Sequence, residues 1–241
     1  MTGRKSEEMQ KFQNIKAHDC VILAAGSYPC HPAPLAILRE AKHVICCDGA
    51  AEAYISQGHT PLAIVGDGDS LPSRIKEQYG HLIHTIEEQE YNDLTKATQF
   101  AISQGFRSIA YIGCTGLRED HTLGNISLMA FYLQKFNIQP TMYTDHGIFT
   151  PASGTQSFPS FPHQQVSIFR VTGTTLSSEQ LRWNSYPYSQ LWQGTLNEAL
   201  NCHFTLHSDG IYIVFQTYEE TAPAANKTKP IANESDGSQD T

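Results

Sequence analysis

The alternation of apolar and polar positions changes character once along this chain, near residue 147. From Cys20 to Tyr143, short runs rich in Val, Ile and Cys alternate with longer stretches whose apolar residues recur at helical spacing. Cys20–Ala25, His43–Cys47, Pro61–Val65, His81–Ile86, Ser108–Ile112 and Pro140–Tyr143 are short, β-rich runs that predict strands, the first of them buried. Between them, Pro34–Ala41, the segment opened by Asp48-Gly49-Ala50, Pro72–Tyr79, Leu94–Gln104 and a long stretch through Lys135 predict helices. The punctuation agrees with this division. Asp48 stands at an N-cap position, Pro72 in a first turn, Asn92 or Asp93 before the Leu94 helix, and Gly105 after it. Strand, loop and helix in regular succession predict a parallel sheet with helices on its faces.

Beyond Asp145 the helical spacing disappears. Pro, Ser, Thr and Gly crowd Thr150–Pro162, and the later apolar runs alternate as half-buried strands do. Gln165–Val171, Thr174–Leu176, Cys202–Leu206 and Ile211–Phe215 are predicted strands, the last two joined by the hairpin signal Ser208-Asp209-Gly210. The expected fold class is therefore α/β. An N-terminal, parallel-sheet, three-layer α/β domain (18–147) precedes a smaller C-terminal antiparallel β domain (148–218). A flexible arm (1–17) and a disordered polar tail (219–241) flank them.

Composition narrows the function. The chain has 241 residues, 40% of them hydrophobic and 17% charged, with a formal net charge of −8. That balance argues against a nucleic-acid binder, which carries a basic face. No apolar run approaches the roughly 18 residues of a membrane span, and the polar N-terminus lacks a secretory core. The six cysteines contain no C-x-x-C pair, and several lie inside strand-like runs. They predict reduced thiols, a cytoplasmic protein and no zinc site.

In a parallel α/β sheet, ligands bind outside the carboxyl ends of the strands. The unusual loops fall there: Asp48-Gly49, Gly66-Asp67-Gly68-Asp69-Ser70, Gln89–Lys96 and Gly113–His121. Two carboxylates one residue apart on a glycine turn repel each other unless a cation or donors accompany them, and they suit Mg²⁺. Asp67, Asp69 and Asp93 are the candidate metal ligands. Lys96, three residues after Asp93, shares its helix face. Arg118, in a glycine-rich loop, can fork two phosphate oxygens. Asp120 can cap the following helix, bind a cation or accept a proton. Each of these also has a plain structural reading as a turn, a cap or a surface pair. Together they make the inventory that phosphoryl transfer needs, positioning and charge neutralisation.

At these residues the chain resembles the thiamine pyrophosphokinase family. The blocks that carry the resemblance are Asp48-Gly49-Ala50, Gly66–Ser70, Gln89–Ala97 and Gly113–Asn125, in order. The resemblance implies a β-sandwich after the α/β catalytic domain, ATP as diphosphate donor, thiamine as acceptor, AMP as second product, Mg²⁺, and a homodimer with sites between subunits. It implies that Asp67, Asp69 and Asp93 organise Mg²⁺ and the phosphates and that Asp120 is a nucleotide or phosphate contact. These four are the candidate catalytic acids, and Asp120 or Asp93 is the expected acceptor of the hydroxyl proton. It further implies nucleotide or phosphate contacts at Asp48, Ser70, Gln89, Lys96, Arg118, His121 and Asn125. In the last third, Gly194-Thr195-Leu196-Asn197-Glu198 resembles an element that usually carries Ser-Asn, with Leu196 where Ser is expected. Thr195, Asn197 and Trp192 are the thiamine candidates there, with Trp183 as the alternative stacking ring. Two other readings use the same residues: a Mg²⁺-dependent phosphohydrolase with Asp67 as nucleophile, and a thiamine-binding protein without catalysis.

Overall fold

A computed structural model describes residues 16–86, 88 and 90–220, the last two by backbone alone. The expected arm and tail lie almost wholly outside this range. The α/β half contains strands β1 (Cys20–Leu23), β2 (Val44–Cys47), β3 (Ala63–Gly66), β4 (Ile83–Thr85), β5 (Ser108–Ile112) and β6 (Gln139–Tyr143). Its helices are α1 (Pro32–Glu40), α2 (Ala51–Ser56), α3 (Ser73–Tyr79), α4 (Asp93–Ser103) and α5 (Glu119–Phe136). These strands are all parallel, in the order β4-β3-β2-β1-β5-β6. Chain order thus reverses between β1 and β5.

The inner strands β1, β2 and β3 are apolar and buried along their whole length because both faces are covered, whereas the edge strand β4 is largely exposed. Cys20 and Ile22 of β1 face α4 and α5, among Leu94, Ala97, Met129 and Tyr132. Val21 and Leu23 face the other layer, among Ile37, Leu38, Tyr54 and Ile75. Truncating a fully buried residue such as Ile22 to Ala in such a core costs about 2–5 kcal/mol. None of the described helices is long and apolar enough to cross a membrane.

The β half adds β7 (Gly147–Ser153), β8 (Gln156–Pro159), β9 (Gln164–Arg170), β10 (Leu176–Glu179), β11 (Asn197–Glu198), β12 (His203–Ser208) and β13 (Ile211–Glu220). One layer of its sandwich, β7-β13-β9-β11, continues the parallel sheet through antiparallel pairing of β6 with β7, making ten strands. The second layer is β10-β12-β8. Val166, Ile168, Phe158, Phe204, Leu206 and Tyr212 fill the space between.

Two expectations need correction here, and β7 and β8 are strands that the sequence pattern leaves unassigned. The Pro-rich stretch from Thr150 supplies most of β7 and all of β8. Pro151 is tolerated because β6 pairs only with the start of β7, at Ile148 and Phe149, so no ladder bond is asked of the Pro151 nitrogen on that side. Pro159 ends β8, an edge strand. The Asp209-Gly210 turn does not close a hairpin, since β12 pairs with β8 and β10 while β13 pairs with β7 and β9. Asp209 Oδ1 instead accepts from Thr174 N (2.7 Å) and Thr175 N (2.8 Å), and the turn carries the chain from one layer to the other. Those amides are thereby withdrawn from pairing, so β10 begins at Leu176 rather than Thr174.

Candidate active site

A cavity of about 400 Å³ opens at the carboxyl edge of the parallel strands, where chain order reverses. This is the position at which open α/β sheets bind ligands. Its walls are Ala24–Gly26 after β1, Cys47 at the end of β2, Asn92 to Leu94 at the start of α4, and Cys114, Thr115, Leu117 and Arg118 after β5. His121, Thr122 and Asn125 of α5 complete them.

The acidic corner is built around Asp48. β3 ends at Gly66, where a Cβ would lie 2.6 Å from Asp48 Cβ, so glycine lets the aspartate lie against the strand end. Asp48 is 1% exposed. Its Oδ2 accepts from Ser70 N (3.0 Å), while its buried Oδ1 has no hydrogen-bond partner. Asp67 is exposed, and its Oδ1 accepts from Asp69 N (3.0 Å), which folds the acidic loop into a tight turn. Burial holds the Asp48 and Asp93 carboxyls above the usual range, and the charge of Asp67 raises both further. Three carboxylates therefore share one electrostatic neighbourhood.

Asn92 is the cap of α4, its Oδ1 accepting from Thr95 N (3.0 Å) and Thr95 Oγ1 (2.8 Å). Asp93, relieved of that duty, occupies the first helical position on the cavity wall. Lys96 is 3% exposed, with Nζ 4.0 Å from Asp93 Oδ1. Beneath the helix, Thr95 Oγ1 also meets Tyr132 OH at 2.8 Å, tying α4 to α5.

The arginine loop is fastened from two sides. Gly26 N donates to Gly113 O (2.7 Å), and Ser27 bonds Thr115 O (2.9 Å) and Gly116 O (2.9 Å). Asn125 Nδ2 donates to Cys114 O (2.8 Å), so this candidate contact is engaged with the loop backbone. Arg118, not Asp120, stands at the N-cap of α5 and makes no side-chain capping bond, while Asp120 Oδ1 accepts from His121 N in the first turn (2.9 Å). Asp120 is bound to Arg118, whose hydrogen bonds pull its carboxyl down to about 2. His121 is exposed beside the cavity.

The structure thus gathers Asp93, Arg118, His121 and Asn125 on one cavity, with Asp48, Asp67 and Lys96 behind Asp93. Asp69 and Ser70 take part through backbone bonds to Asp67 and Asp48. Gln89 lies outside the described residues. Trp192, Thr195 and Asn197 are absent from the cavity wall. Trp192 is half exposed in the 3-10 turn Leu191–Gly194, and Thr195 Oγ1 donates to its carbonyl (2.6 Å). Asn197 is buried, its side chain bonded to both backbone groups of Trp183 (3.2 and 2.8 Å). Ala24–Gly26, Cys47 and Cys114 escaped sequence reasoning. The signal for the first was present: Gly26-Ser27 ends a strand at the same edge as the acidic and arginine loops.

Among the described residues, no three His, Cys, Asp or Glu side chains converge closely enough to hold a metal by themselves. No curated protein sequence matches the chain. Two family models do: "Thiamin pyrophosphokinase, catalytic domain" over residues 35–140 and "Thiamin pyrophosphokinase, substrate-binding domain" over 147–215. Among solved structures, thiamine pyrophosphokinase from Bacillus subtilis superimposes with a TM-score of 0.67 at 20% identity, covering 83% of this chain and 99% of that one. The yeast enzyme gives 0.68 at 14% identity, covering 88% and 90%. The Candida albicans enzyme gives 0.65 at 13%, covering 87% and 97%. These structural likenesses speak for a shared fold. Taken with the two domain matches, which lie on either side of the β6–β7 junction, the chain belongs to the thiamin pyrophosphokinase family, its catalytic domain in the α/β half and its substrate-binding domain in the β half.

Proposed function

We propose that the chain transfers the diphosphate group of ATP to the hydroxyl of thiamine, releasing AMP, in a Mg²⁺-dependent reaction. The observation that carries this reading is the pairing, on one cavity at the strand-order reversal, of Asp93, backed by the carboxylates of Asp48 and Asp67, with a forked cation, Arg118. A polyphosphate presents negative oxygens along its length, and exposed Arg118, held by Asp120 through Nε and one terminal nitrogen, offers them its remaining guanidinium N–H groups. Lys96, fixed beside Asp93, supplies a second positive charge from below.

The acidic corner fits a hard cation. Asp48 and Asp93 are ionised at a cost in this structure, and Asp48 Oδ1 has no donor. Mg²⁺ takes one or two carboxylates and completes its shell with water and phosphate oxygens, so a closed cage of three acids is not required. Asp67, Asp69 and Asp93 are the residues that would hold it, and it would supply charge neutralisation on the phosphates. Asp120 has both oxygens committed to Arg118 and His121 N, which leaves Asp93, on the wall, to orient or accept the acceptor's proton.

Thiamine candidates on the β half do not reach this cavity within one chain. Exposed Leu117 and Leu123 beside the cavity, and exposed Leu191, Trp192, Leu196 and Leu200 on the β half, are apolar faces that a homodimer would bring together. The unpaired thiols accord with a cytoplasmic protein. The test is product analysis with thiamine and Mg-ATP: thiamine diphosphate and AMP in equal amounts are expected, and formation of ADP overturns the reading.

A further inference from the structure

The loop that follows β1 does more than end a strand. In the order β6-β5-β1, it leaves β1, crosses the end of β5 and reaches the end of β6. Its near end, Ala24–Gly26, is cavity wall. Its middle is bonded to the arginine loop, by Gly26 N to Gly113 O (2.7 Å), Ser27 N to Thr115 O (2.9 Å) and Ser27 Oγ to Gly116 O (2.9 Å). Its far end is clasped by Asp145, a residue that no part of the proposed chemistry uses. Asp145 Oδ1 accepts from Cys30 N and His31 N, both at 2.9 Å, and Oδ2 accepts from Cys30 Sγ at 2.9 Å.

The clasp itself is rigid. Asp145 sits in the turn between β6 and β7, where Thr144 Oγ1 accepts from His146 N (3.1 Å) and Gly147 N (3.2 Å). Tyr218 of β13 donates to Thr144 O (3.0 Å) and stacks flat on His31, centroids 4.5 Å apart. His31 in turn caps α1 by accepting from Ala33 N (3.2 Å). A carboxylate that gathers two backbone N–H groups and a thiol fixes the loop that contacts it, because an open loop would leave those donors to water and lose the charge-assisted bonds. A loop fixed at its far end and bonded along its middle cannot drift without moving Gly113–Gly116, and Arg118 follows two residues on.

We propose that Asp145 is a positioning residue for the transfer reaction: through the Gly26–His31 strap it sets where the arginine loop presents Arg118 to the phosphates. The inference rests on the reading of the cavity as a nucleotide site. Asp145→Ala is expected to raise KM for ATP about tenfold with a smaller change in kcat, a partial share of the roughly hundredfold loss that a full 1 Å misplacement at a distance can cause. Asp145→Asn, whose amide oxygen retains the two backbone bonds, is expected to restore most of it. Amide hydrogen exchange at residues 113–118, measured without substrates, is expected to quicken in Asp145→Ala and not in Asp145→Asn.

Unchanged exchange at 113–118 in folded Asp145→Ala overturns the strap, whatever the assay gives. If the unaltered chain fails to turn over ATP, the proposed function falls instead and the exchange result still decides this inference. Should Asp145→Ala not fold, Ser27→Ala, which removes only the hydroxyl on Gly116 O, takes its place. A raised KM and quickened exchange are expected there too, and wild-type values for both overturn the proposal.

Discussion

Arg118 and Asp120 grip each other across a single intervening residue, Nε to Oδ1 at 3.1 Å and one terminal nitrogen to Oδ2 at 2.6 Å. Both side chains are exposed, so the pair adds little to stability. It acts by holding a planar fork in the orientation that a phosphate would meet. Arg118→Lys keeps the charge and loses the fork. It is expected to lower kcat/KM for ATP about a hundredfold while leaving the melting temperature unmoved, as steady-state kinetics and a thermal melt on the same sample would show.

Asp93 is expected to trade activity against stability. Burial raises its folded carboxyl above the unfolded value, so the folded state binds the proton more tightly. Its ionisation therefore opposes folding, fully above the folded pKa and not at all below the ordinary carboxylate range. Asp93→Asn should melt higher than wild type at pH 7, with the gap closing towards pH 4, and kcat should fall by at least about a hundredfold. Mg²⁺ without nucleotide is expected to raise the melting temperature of the wild type more than that of the variant.

His18 predicts an acid limb. Its ring nitrogens meet Tyr143 OH (2.8 Å) and Ser108 Oγ (3.1 Å), and burial lowers its pKa from 6.5 to about 4. The fold holds it neutral while the unfolded chain takes up a proton. Stability is thus intact above pH 6.5 and falls as pH drops from there towards 4, by on the order of 3 kcal/mol. His18→Gln should flatten that slope in urea melts run between pH 7 and 4.5.

Leu196 occupies the left-handed region, at φ 62°, and is 51% exposed. A side chain bearing a Cβ is disfavoured there by about 1–2 kcal/mol. Leu196→Gly is expected to stabilise the protein by about 1 kcal/mol, less what glycine gives back in unfolded-chain entropy. If the leucine is kept for contact with the acceptor, KM for thiamine should rise in the same variant.

The parallel half was legible because its signals are local and redundant. Each strand is an apolar run closed by glycine or an acid, and parallel strands put all such closures on one edge. That is why Asp48, Asp93 and Arg118 group at one edge from the sequence pattern alone. Whether Asn92 or Asp93 caps α4 was undecided in the sequence, since both residue types cap well; only the fold shows Asn92 turned back to Thr95 and Asp93 left for the cavity. The β half misled for a different reason. Its Asp209-Gly210 turn has the residues of a hairpin, but strand partners there are chosen by distant contacts such as Asp209 with Thr174, which no local pattern records. Asp145 was invisible for the same cause, its partners lying more than a hundred residues away.

The ladder between Met142–Tyr143 and Ile148–Phe149 makes the two halves one continuous beam, and α5 is laid along it, packing on β6, β7 and β13 together. Such a joint has no hinge. Swinging the β half over the cavity as a jaw would tear main-chain bonds and uncover Ala130, Ile211 and Ile213 at once. Closing movements over the cavity in this molecule therefore fall to the loops at the strand ends, carried on a rigid frame.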